Sequence, residues 1–443
     1  MKIQFITLSE FCSPTKKKNI ITFPALLWAI LASYTPKSWE IIIQNEYFAP
    51  INTKITSDIV AFSVQTCYAP RTYKFAEKFK ENGSTIIYGG PHITAIQKYI
   101  NLKNEPFKYG YADSLVIGEA DEIWEKLLKD FIIGKLQKIY QNNKNFSMEK
   151  YKIPKRNVLK KRGLIEIHAI ETSRGCPNHC SFCTANSAYR KRDLNSLIKE
   201  FKNLPHKNIV FLDSNFGKDT NFSFKLLDIL KKLKIKWTAS IDFMTLSNKK
   251  FIKAAKHNNC FSLYVGFESL KNETIKEQNK SHNKPERYQK SIHYSHKLGI
   301  PIIGSFIFGF DSDTKNVFKE TIDFCNKVGL METSFHILTP FPKTAIFDNL
   351  KKENRLLYLN FPNDWEQYKR NNVTFIPKQM SAEELREGYS WILKEFYSLR
   401  SIRQRMLKSG HSFSLAFIIF LCLNILKYLR LKFIDTKSLY TFN

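Results

Sequence analysis

A closely spaced cysteine triplet constrains this 443-residue chain more than any other feature. Cys176, Cys180 and Cys183 follow the spacing C-x3-C-x2-C, which places three thiolates in one short loop. Three thiolates can hold three irons of a [4Fe–4S] cluster and leave the fourth iron open to a substrate or cofactor that receives an electron. The triplet therefore predicts a redox cluster with one accessible iron.

Two other interpretations of the triplet stay open at this point. A structural zinc site needs a fourth ligand, and His179 lies between two of the cysteines and is able to supply one. A disulfide is the second alternative, but the opening segment Met1–Thr7 shows no secretory leader. We therefore expect a cytoplasmic protein in a reducing compartment, where disulfides are rare.

The residues around the triplet resemble those of a known superfamily. Arg174-Gly175 precedes the first cysteine, Phe182 precedes the third, and the apolar stretch Leu164–Ile170 leads into the loop. This arrangement is similar to the radical S-adenosylmethionine (SAM) superfamily, in which the loop follows the first strand of a barrel. The resemblance implies that the triplet binds a [4Fe–4S] cluster, that SAM chelates the open iron, and that a 5′-deoxyadenosyl radical abstracts hydrogen from a substrate.

The size and charge of the chain bound its organisation and partners. A length of 443 residues suits two domains, each with its own core. Lys and Arg number 69 against 40 Asp and Glu, and this net charge of +29 would suit nucleic acid or an anionic membrane. The lysines are dispersed along the whole chain, however, and no dense basic run with interleaved aromatics occurs. We therefore expect composition bias to explain the charge, and no nucleic-acid partner.

The N-terminal part, residues 1–133, alternates short apolar runs with helical periodicity, as βα units do. Buried parallel strands of this kind predict a doubly wound open sheet, whose ligand site lies beyond the strand carboxyl ends. The predicted strands are Ile3–Leu8, Glu40–Gln44, Asp58–Gln65, Thr85–Tyr88 and Ser114–Ile117. The predicted helices are Phe23–Tyr34, Arg71–Asn82 and Glu122–Phe131.

Two strand ends in this part carry candidate ligand contacts. Ser63 and Thr66 end one strand, and Gly89, Gly90 and His92 follow the next. A glycine pair lets the backbone approach a bulky ligand closely, and hydroxyl groups can form hydrogen bonds with that ligand. An ordinary tight turn explains the two glycines alone equally well.

The same segments resemble the cobalamin-binding domain that precedes many radical SAM domains. The resemblance covers residues 58–66, 88–94 and 113–119, and it implies that the five residues at the two strand ends contact cobalamin. The chain departs from one pattern, because it has no D-x-H-x-x-G motif, the loop through which some cobalamin proteins bind cobalt with a histidine. The resemblance thus implies no histidine ligand from this domain on the lower face of cobalt.

Residues 134–164 are polar, rich in Lys and Asn and weakly periodic, and they predict an interdomain linker. From residue 165 to 380 six βα units predict a partial (β/α)6 barrel with its chemistry at the strand carboxyl ends. The predicted strands are Ile165–Ile170, Asn208–Asp213, Ile235–Ser240, Ser262–Phe267, Pro301–Phe308 and Ser334–Leu338. The predicted helices are Leu194–Asn203, Ser223–Lys232, Lys249–Asn258, Arg287–Leu298 and Val317–Val328.

Polar residues at successive strand ends of this barrel are candidate SAM contacts. The resemblance implies that Asp213 and Asn215, after the second strand, bind the ammonium group of SAM, as a carboxylate and an amide can. It also implies that Ser240 and Glu268 contact the ribose and carboxylate, and that Gly304 lets the adenine approach the backbone. A helix cap or a buried polar group explains any one of these residues equally well, so their shared location is the stronger signal.

Residues 381–443 predict a helical extension that contains an apolar segment at 413–426. This segment is shorter than the ~20 residues that cross a bilayer, and basic residues flank it, as in a helix that lies on a membrane surface. A helix docked on the protein is an equal alternative. A membrane-surface tail would make the protein peripheral at the inner face of the membrane and would favour a lipid-like substrate.

The order of the parts, together with Gly266–Ser269, Gly304–Asp311 and Ile337–Pro340, resembles B12-binding-domain radical SAM enzymes, including relatives of hopanoid methylases. The resemblance implies methyl transfer from cobalamin to an unactivated carbon of a small-molecule or lipid-like substrate. It also implies an electron donor such as flavodoxin or ferredoxin. Two alternatives stay open: a radical cyclisation or rearrangement without methyl transfer, and RNA modification.

Overall fold

The computed structural model describes residues 1–9, 19–22, 25–142, 145–159, 163–410 and 414–433. Parts of three predicted segments lie outside the described residues. They are the first two residues of the predicted helix at 23–34, residues 143–144 and 160–162 of the predicted linker, and residues 411–413 and 434–443 of the predicted extension. The strands are β1 Lys2–Thr7, β2 Asn19–Thr22, β3 Glu40–Asn45, β4 Ile59–Ser63, β5 Thr85–Gly89, β6 Ser114–Ile117, β7 Ile139–Gln141, β8 Gly163–Glu166, β9 His168–Ile170, β10 Ser173–Arg174, β11 Arg190–Lys191, β12 Asn208–Phe211, β13 Lys236–Ile241, β14 Cys260–Glu268, β15 Ile302–Phe308 and β16 Glu332–Ile337.

Helices follow most of these strands. The α-helices are α1 Leu26–Tyr34, α2 Ala69–Glu81, α3 Pro91–Ile96, α4 Glu105–Tyr109, α5 Asp121–Ile132, α6 Leu194–Lys202, α7 Thr220–Lys232, α8 Phe243–Ser247, α9 Lys249–His257, α10 Asn272–Glu277, α11 Pro285–Lys297, α12 Val317–Val328, α13 Ala345–Lys352, α14 Ala382–Phe396, α15 Leu399–Lys408 and α16 Leu415–Phe433. Short 3-10 helices lie at Thr66–Tyr68, Met148–Lys150, Arg156–Val158 and Asn363–Gln367.

The N-terminal sheet is parallel and is covered by helices on both faces. Its strand order is β3-β1-β4-β5-β6-β7. Successive side chains of a strand point to opposite faces. Ile59 and Ala61 of β4 accordingly pack with α1 and α5, whereas Val60 and Phe62 pack with α2 and α3. The predicted doubly wound sheet is therefore confirmed.

The range 134–164, which the sequence predicts as a linker, contains structure that the hydrophobic pattern does not reveal. β7 adds a strand to the N-terminal sheet by pairing with β6. Phe146, Met148 and Tyr151 are buried in the core that α1 and α5 form with the sheet. These apolar residues stand singly between polar residues such as Lys and Asn, so they form no periodic apolar run that would predict their burial.

The first predicted barrel strand, Ile165–Ile170, is two strands in the structure. β8 pairs with β2 in a separate two-stranded sheet, and only β9 enters the barrel, beside β12. An apolar run that alternates with polar residues has the same appearance in either sheet, because the pattern records burial and not the partner strand. The prediction of one continuous strand is therefore wrong.

The barrel contains six parallel strands in sequential order, β9-β12-β13-β14-β15-β16. Within the described residues no ladder joins β9 to β16, so the barrel is open on one side, as predicted. Side chains fix where the outer helices begin. Asp193, Asp219 and Asn248 each accept a hydrogen bond from the backbone N–H three residues later, at the start of α6, α7 and α9.

The segment after the barrel joins the two halves of the molecule. Trp365, in the 3-10 helix Asn363–Gln367, is fully buried, and its Nε1 donates to Oε2 of Glu105 in the N-terminal part at 2.9 Å. α14 begins with a capping box in which Ser381 and Glu384 cap each other's backbone. Helices thus complete the molecule, and no helix among the described residues has the length and apolar character to cross a membrane.

Candidate active site

The cysteine loop is closed at its base by a short antiparallel ladder. β10 pairs with β11, so that Ser173 lies opposite Lys191 and Arg174 lies opposite Arg190. Gly175 follows with φ of +81°, and a Cβ there would lie 2.5 Å from the carbonyl oxygen of Ser187. Glycine is therefore the residue that lets the two sides of the loop approach at this point.

The three cysteines line one cavity of about 420 Å³ at the carboxyl ends of the barrel strands. We call this space the barrel-mouth cavity. Burial raises the pKa of Cys180 to about 11 and also raises the pKa of Cys183. Because iron binds thiolates, loading the loop must displace these protons. His179, the fourth ligand of the zinc alternative, is exposed and does not line the cavity.

Two N–H groups point at sulfurs of the triplet. The backbone nitrogen of Ala185 lies 3.4 Å from Sγ of Cys183, and Nδ2 of Asn215 lies 3.8 Å from Sγ of Cys176. Hydrogen bonds of this kind stabilise thiolates and tune iron–sulfur centres. Among the described residues, no three His, Cys, Asp or Glu side chains converge on a single ion. Thiolates that each bind a different iron need not converge in that way.

Asp213, a predicted SAM contact, fastens the start of the cysteine loop. Its carboxylate accepts hydrogen bonds from the backbone nitrogen of Thr172 at 2.7 Å, from Oγ of Ser173 at 2.6 Å and from the hydroxyl of Thr172. Burial raises the pKa of Asp213 to about 6, although the bonds from Ser173 and Thr172 oppose this rise. The residue lines the barrel-mouth cavity, but its oxygens are engaged by the protein.

Asn215 joins the second and third barrel strands. Its Nδ2 donates to Oδ2 of Asp242 at 2.9 Å, and its Oδ1 accepts from the backbone nitrogen of Asp242 at 3.0 Å. Burial raises the pKa of Asp242, but hydrogen bonds from Asn215 and Thr245 and the charge of Lys218 outweigh burial and lower it. Asp242 is thus an ionised carboxylate on the cavity wall, close to the predicted contact Ser240.

Glu268 forms a buried ion pair beside the cysteines. Its Oε1 lies 2.6 Å from Nζ of Lys280, and both side chains line the barrel-mouth cavity. Burial lowers the pKa of Lys280, but Glu268 and the thiolate form of Cys180 outweigh it and raise this pKa. Glu268 has φ of +64°, where β14 shifts register against β15. The backbone is thus held in an uncommon conformation that turns this carboxylate into the cavity.

Gly304 is the predicted SAM contact that the structure places elsewhere. Ser305 and Ile307 of β15 line the barrel-mouth cavity, whereas Gly304 faces the outer layer, where a Cβ would lie 3.0 Å from Cδ1 of Leu330. The absence of a side chain there serves packing between strand and helix. Sequence alone does not decide which of two alternating strand positions points into a barrel, and the position of Gly304 gives its predicted contact with SAM no support.

Sequence reasoning missed four basic residues of this cavity: Lys280, His282, His336 and Arg370. Burial and the charge of Lys280 lower the pKa of His282 to about 4. Burial and the charge of Arg370 lower the pKa of His336 to about 4. Both imidazoles are therefore neutral at pH 7. No short motif contains these residues, and in a lysine-rich chain Lys280 carries no signal of its own.

A second cavity, of about 330 Å³, lies at the carboxyl ends of the N-terminal sheet, between that sheet and the barrel. We call it the N-terminal cavity. Three of the five predicted cobalamin contacts line it, namely Ser63, Gly89 and Gly90. Most of its wall is apolar and comes from α1 and the strand ends, including Trp28 and Leu27. None of its lining residues is a histidine.

The other two predicted cobalamin contacts lie away from this cavity. His92 is fully buried on α3, with Nε2 3.3 Å from Oε1 of Glu105 and its ring edge-on to Trp365. Thr66 is buried at the start of a 3-10 helix. Both residues belong to the side of the sheet that packs against the 3-10 helix Asn363–Gln367, which a strand-end position alone does not reveal. Neither residue lines the N-terminal cavity, which therefore gives no support to their predicted contact with cobalamin.

The backbone conformation and close packing at Gly90 require a glycine there. Its φ is +98°, and a Cβ would lie 2.8 Å from the backbone nitrogen of Val64. The tight approach of two chain segments thus requires this glycine, as in the ordinary turn that the sequence left open. Gly118, also with positive φ, differs because a Cβ there would meet nothing within 4 Å and would enter the N-terminal cavity.

Arginines at the base of the cysteine loop reach the rim of the N-terminal cavity. Nη1 of Arg174 lies 2.6 Å from Oδ2 of Asp121, and Nε lies 2.9 Å from Oε1 of Glu171. Arg190, its neighbour across the ladder, pairs with Glu119 at 2.8 Å. Both acceptors Glu119 and Asp121 follow β6 of the N-terminal sheet. This cluster therefore connects the rim of one cavity directly to the loop of the other.

Comparison with known proteins adds family information to this geometry. Residues 170–325 match the radical SAM superfamily, and residues 344–416 match a domain of unknown function, DUF4070. The chain is 29% identical over 363 residues to bacteriochlorophyllide d C-12(1)-methyltransferase of Chlorobaculum tepidum, covering 79% of this chain and 76% of that protein. It is 22% identical to hopanoid C-2 methylase of Rhodopseudomonas palustris, covering 78% and 66%.

Two solved structures share the architecture. The cobalamin-dependent SAM radical enzyme OxsB, with aqua-cobalamin and SAM bound, has a TM-score of 0.63 at 15% identity and covers 98% of this chain and 72% of its own. The radical SAM methyltransferase TsrM from Kitasatospora setae, with cobalamin and a [4Fe-4S] cluster bound, has a TM-score of 0.62 at 14% identity, covering 80% and 75%. At these identities the likeness shows a shared fold.

Proposed function

Because the chain belongs to the radical SAM superfamily of enzymes, we propose that it is a cobalamin-dependent methyltransferase that acts on an unactivated carbon. The observation that carries this proposal is the presence of two cavities on either side of one strand end. Leu212 lines the N-terminal cavity, and the next residue, Asp213, lines the barrel-mouth cavity. A methyl donor and a radical source could thus act on one substrate from neighbouring sites.

The residues of the barrel mouth fit a [4Fe–4S] cluster. Three thiols share the cavity, of which those of Cys176 and Cys180 are buried and that of Cys183 is half-buried. Ala185 and Asn215 supply N–H groups to two of the three. A cluster bound there would supply the electron for reductive cleavage of SAM to a 5′-deoxyadenosyl radical. The cation of Lys280 beside the cysteines offsets part of the negative charge that three thiolates bring into a buried site.

We assign SAM to the same cavity, in contact with Asn215, Ser240, Asp242 and Glu268. The ionised carboxylate of Asp242 suits the ammonium group of SAM, because its lowered pKa keeps it charged. Asp213 acts indirectly in this proposal, by holding Thr172 and Ser173 at the start of the cysteine loop. This proposed SAM site does not include Gly304.

We assign cobalamin to the N-terminal cavity, beside Ser63, Gly89 and Gly90. Its apolar wall can exclude water from the face of a flat ring. Bound cobalamin would carry the methyl group that is transferred. Since no histidine lines the cavity, the protein offers no imidazole to cobalt from these residues.

The proposed substrate is a small molecule, in keeping with the names of the methyltransferase relatives. Arg370 places a cation at the barrel mouth. The carbonyl oxygen of Arg370 accepts a 2.7 Å hydrogen bond from the backbone nitrogen of Ile337, which fixes this residue at the end of β16. The net charge of +29 favours an acidic electron donor of the flavodoxin or ferredoxin class. We also propose that the enzyme is peripheral to a membrane, through its C-terminal helices.

Anaerobic reconstitution with iron, sulfide, cobalamin and SAM tests this function. With a reductant, the protein should form 5′-deoxyadenosine, and its absorption spectrum should show bound corrinoid after gel filtration. Failure to form 5′-deoxyadenosine with a fully loaded protein would contradict the radical chemistry. Formation of 5′-deoxyadenosine without corrinoid binding would remove methyl transfer and favour cyclisation or rearrangement.

A further inference from the structure

α16 is apolar on both of its sides, although only one side packs on the protein. Ala416, Phe420 and Asn424 are buried at a four-residue spacing, and the first two form a small core with Met331 and Ile402. Asn424 fastens this side, because its Nδ2 donates to the carbonyl oxygen of Met331 at 2.9 Å. The docking alternative for the apolar tail is therefore correct for this face of the helix.

The opposite side of α16 presents a continuous apolar stripe to solvent. We call it the outer stripe, and it consists of Leu415, Ile418, Cys422, Leu426, Leu429 and Phe433. The exposed fraction is 62% for Leu415, 55% for Leu426 and 74% for Phe433. At roughly 100° of rotation per residue, this stripe lies on the side of the helix opposite the buried residues. Solvent-exposed apolar surface of this extent marks an interaction site.

Basic residues accompany the outer stripe on α16 and on the helix that precedes it. Arg430 and Lys432 flank the stripe, each about 80° from its centre and on opposite sides. The preceding helix, α15, adds exposed Arg400, Arg403 and Lys408. From Leu399 to Phe433 the sequence contains no Asp or Glu. These five cations form what we call the basic flank.

α16 lies beneath the barrel, at the end opposite the active site. Its buried face packs against Phe261, Ile303 and Met331, which lie at the amino ends of β14, β15 and β16. The cysteines and the predicted SAM contacts lie at the carboxyl ends of the same strands. A partner bound to the outer stripe would therefore leave the barrel mouth open to the water on the other side.

We infer that the outer stripe and the basic flank bind the surface of an anionic phospholipid bilayer, with α16 lying in the plane of the interface. Apolar side chains on one face and flanking cations are the composition of helices that insert at the headgroup boundary. Each cation near such a surface adds attraction to anionic lipids. This inference specifies the surface behind the proposed peripheral location and is independent of the radical chemistry.

A second copy of the chain fits this face less well. Pairing two copies through α16 would bring together two helices that carry basic and no acidic side chains, and like charges at an interface oppose association. The geometry also separates membrane docking from substrate choice. Because the barrel mouth faces away from the docked side, a bilayer contact gives no support to the expectation of a lipid-like substrate drawn from the tail.

Sedimentation of the full-length chain with vesicles tests this surface. We expect the chain to bind vesicles of phosphatidylcholine with phosphatidylglycerol, and to bind pure phosphatidylcholine at least about tenfold more weakly. The double variant Ile418→Asp/Leu426→Asp should lose binding to the anionic vesicles by about tenfold or more. Ile133→Asp makes the same change at a position 62% exposed on the N-terminal part, and should bind as the unchanged chain does.

Cys422 gives a second measurement inside the outer stripe. Its thiol is exposed, so anionic vesicles should slow its alkylation, as followed by peptide mass analysis. Circular dichroism and 5′-deoxyadenosine formation should be unchanged in Ile418→Asp/Leu426→Asp, which separates a docking defect from misfolding or from failure of the radical chemistry. Equal vesicle binding by this variant and the unchanged chain would overturn the inference. A concentration-dependent dimer that the variant abolishes would overturn it in favour of a second copy.

Discussion

The two cavities lie at equivalent places in two parallel sheets but have opposite chemistry. Both lie beyond the carboxyl ends of the strands, where parallel sheets leave room for ligands. The barrel-mouth cavity carries thiols, a buried ion pair and two neutral imidazoles, whereas the N-terminal cavity is largely apolar. One site is suited to bind by ligation and charge, and the other by shape and exclusion of water. The topology thus sets the position of a site, and the side chains set its chemistry.

The boundary between the cavities is thin and is built from few residues. β12 ends at Phe211, after which Leu212 faces one cavity and Asp213 faces the other. Arg174 and Arg190 connect the cysteine loop to Asp121 and Glu119 at the rim of the N-terminal cavity. Substitutions on either side of this boundary can therefore test whether the two sites work independently.

The largest expected effect comes from the cysteine loop. Cys176→Ala should abolish iron incorporation and 5′-deoxyadenosine formation, because two thiolates cannot hold the cluster in this loop. Corrinoid binding, measured by absorbance titration, should persist, since no cysteine of the triplet lines the N-terminal cavity. Cys422→Ala removes an exposed thiol and should retain full iron content. Loss of corrinoid binding in Cys176→Ala would break the separation of the two sites.

The buried ion pair should give the next largest effect. Lys280→Met leaves the carboxylate of Glu268 buried without its partner, and should lower the free energy of unfolding by about 3 kcal/mol. Adding Glu268→Gln should restore most of this stability in denaturant titrations. Cleavage of SAM should stay reduced by about a hundredfold in the double variant, if charge in this cavity serves the chemistry. Recovery of SAM cleavage together with stability would assign the pair a purely structural role.

A charge placed in the apolar cavity should give a smaller and selective effect. Leu27 lines the N-terminal cavity from α1, and Leu27→Asp should weaken corrinoid binding by about tenfold, because it replaces apolar contact with a group that must stay hydrated. Iron content and SAM cleavage should not change. Ile133→Asp is the matched control, since Ile133 is exposed in the same part of the chain and does not line the cavity. Equal weakening in both variants would locate the corrinoid site elsewhere.

The smallest effect should be a pH dependence confined to the barrel mouth. The pKa of Asp213, raised by burial to about 6, means that its carboxylate accepts bonds from Thr172 and Ser173 above this pH and loses that capacity as the pH falls through it. SAM cleavage should therefore fall a few-fold between about pH 7 and about pH 5.

Corrinoid affinity should stay level over the same range. Burial raises the pKa of Glu119 at the rim of the N-terminal cavity, but Arg190 and Arg174 outweigh burial and lower it, so this carboxylate stays ionised. Asp213→Asn should remove the midpoint near pH 6 from the SAM cleavage profile. An unchanged midpoint in that variant would exclude Asp213 as its source.

Much of this organisation was predictable from local sequence patterns. The cysteine spacing identified the loop, and the resemblance to the radical SAM superfamily implied its position after the first barrel strand. Hydrophobic periodicity predicted nearly every strand of both sheets, and it predicted the helix Val317–Val328 to the residue. These features depend on residues that are close in sequence. The sequence did not predict the strand at residues 139–141 or the division of the first barrel strand into two. Both depend on which distant strand serves as the pairing partner.

The site residues show the same division. Asn215, Ser240 and Glu268 line the barrel-mouth cavity, since they lie at the carboxyl ends of parallel strands, and their contact with SAM stays a prediction. Gly304 faces outward, because the direction of a side chain alternates with every residue of a strand. His92 lies on α3, and its side chain is buried against Glu105 and Trp365 and away from the N-terminal cavity. Lys280 and Arg370 were not predicted at all, since loops far along the chain bring them to the cavity.

The sequence by itself determined the cysteine loop, the two parallel α/β units and their order, because short-range spacing and periodicity encode them. Only the tertiary structure decided that two cavities share the boundary at Leu212 and Asp213, and that His92 is buried with Glu105 away from both. It also decided that one face of α16 docks beneath the barrel while the other stays exposed. The physical reason is that burial and pairing are properties of surfaces that meet, and those surfaces come from residues far apart in the chain.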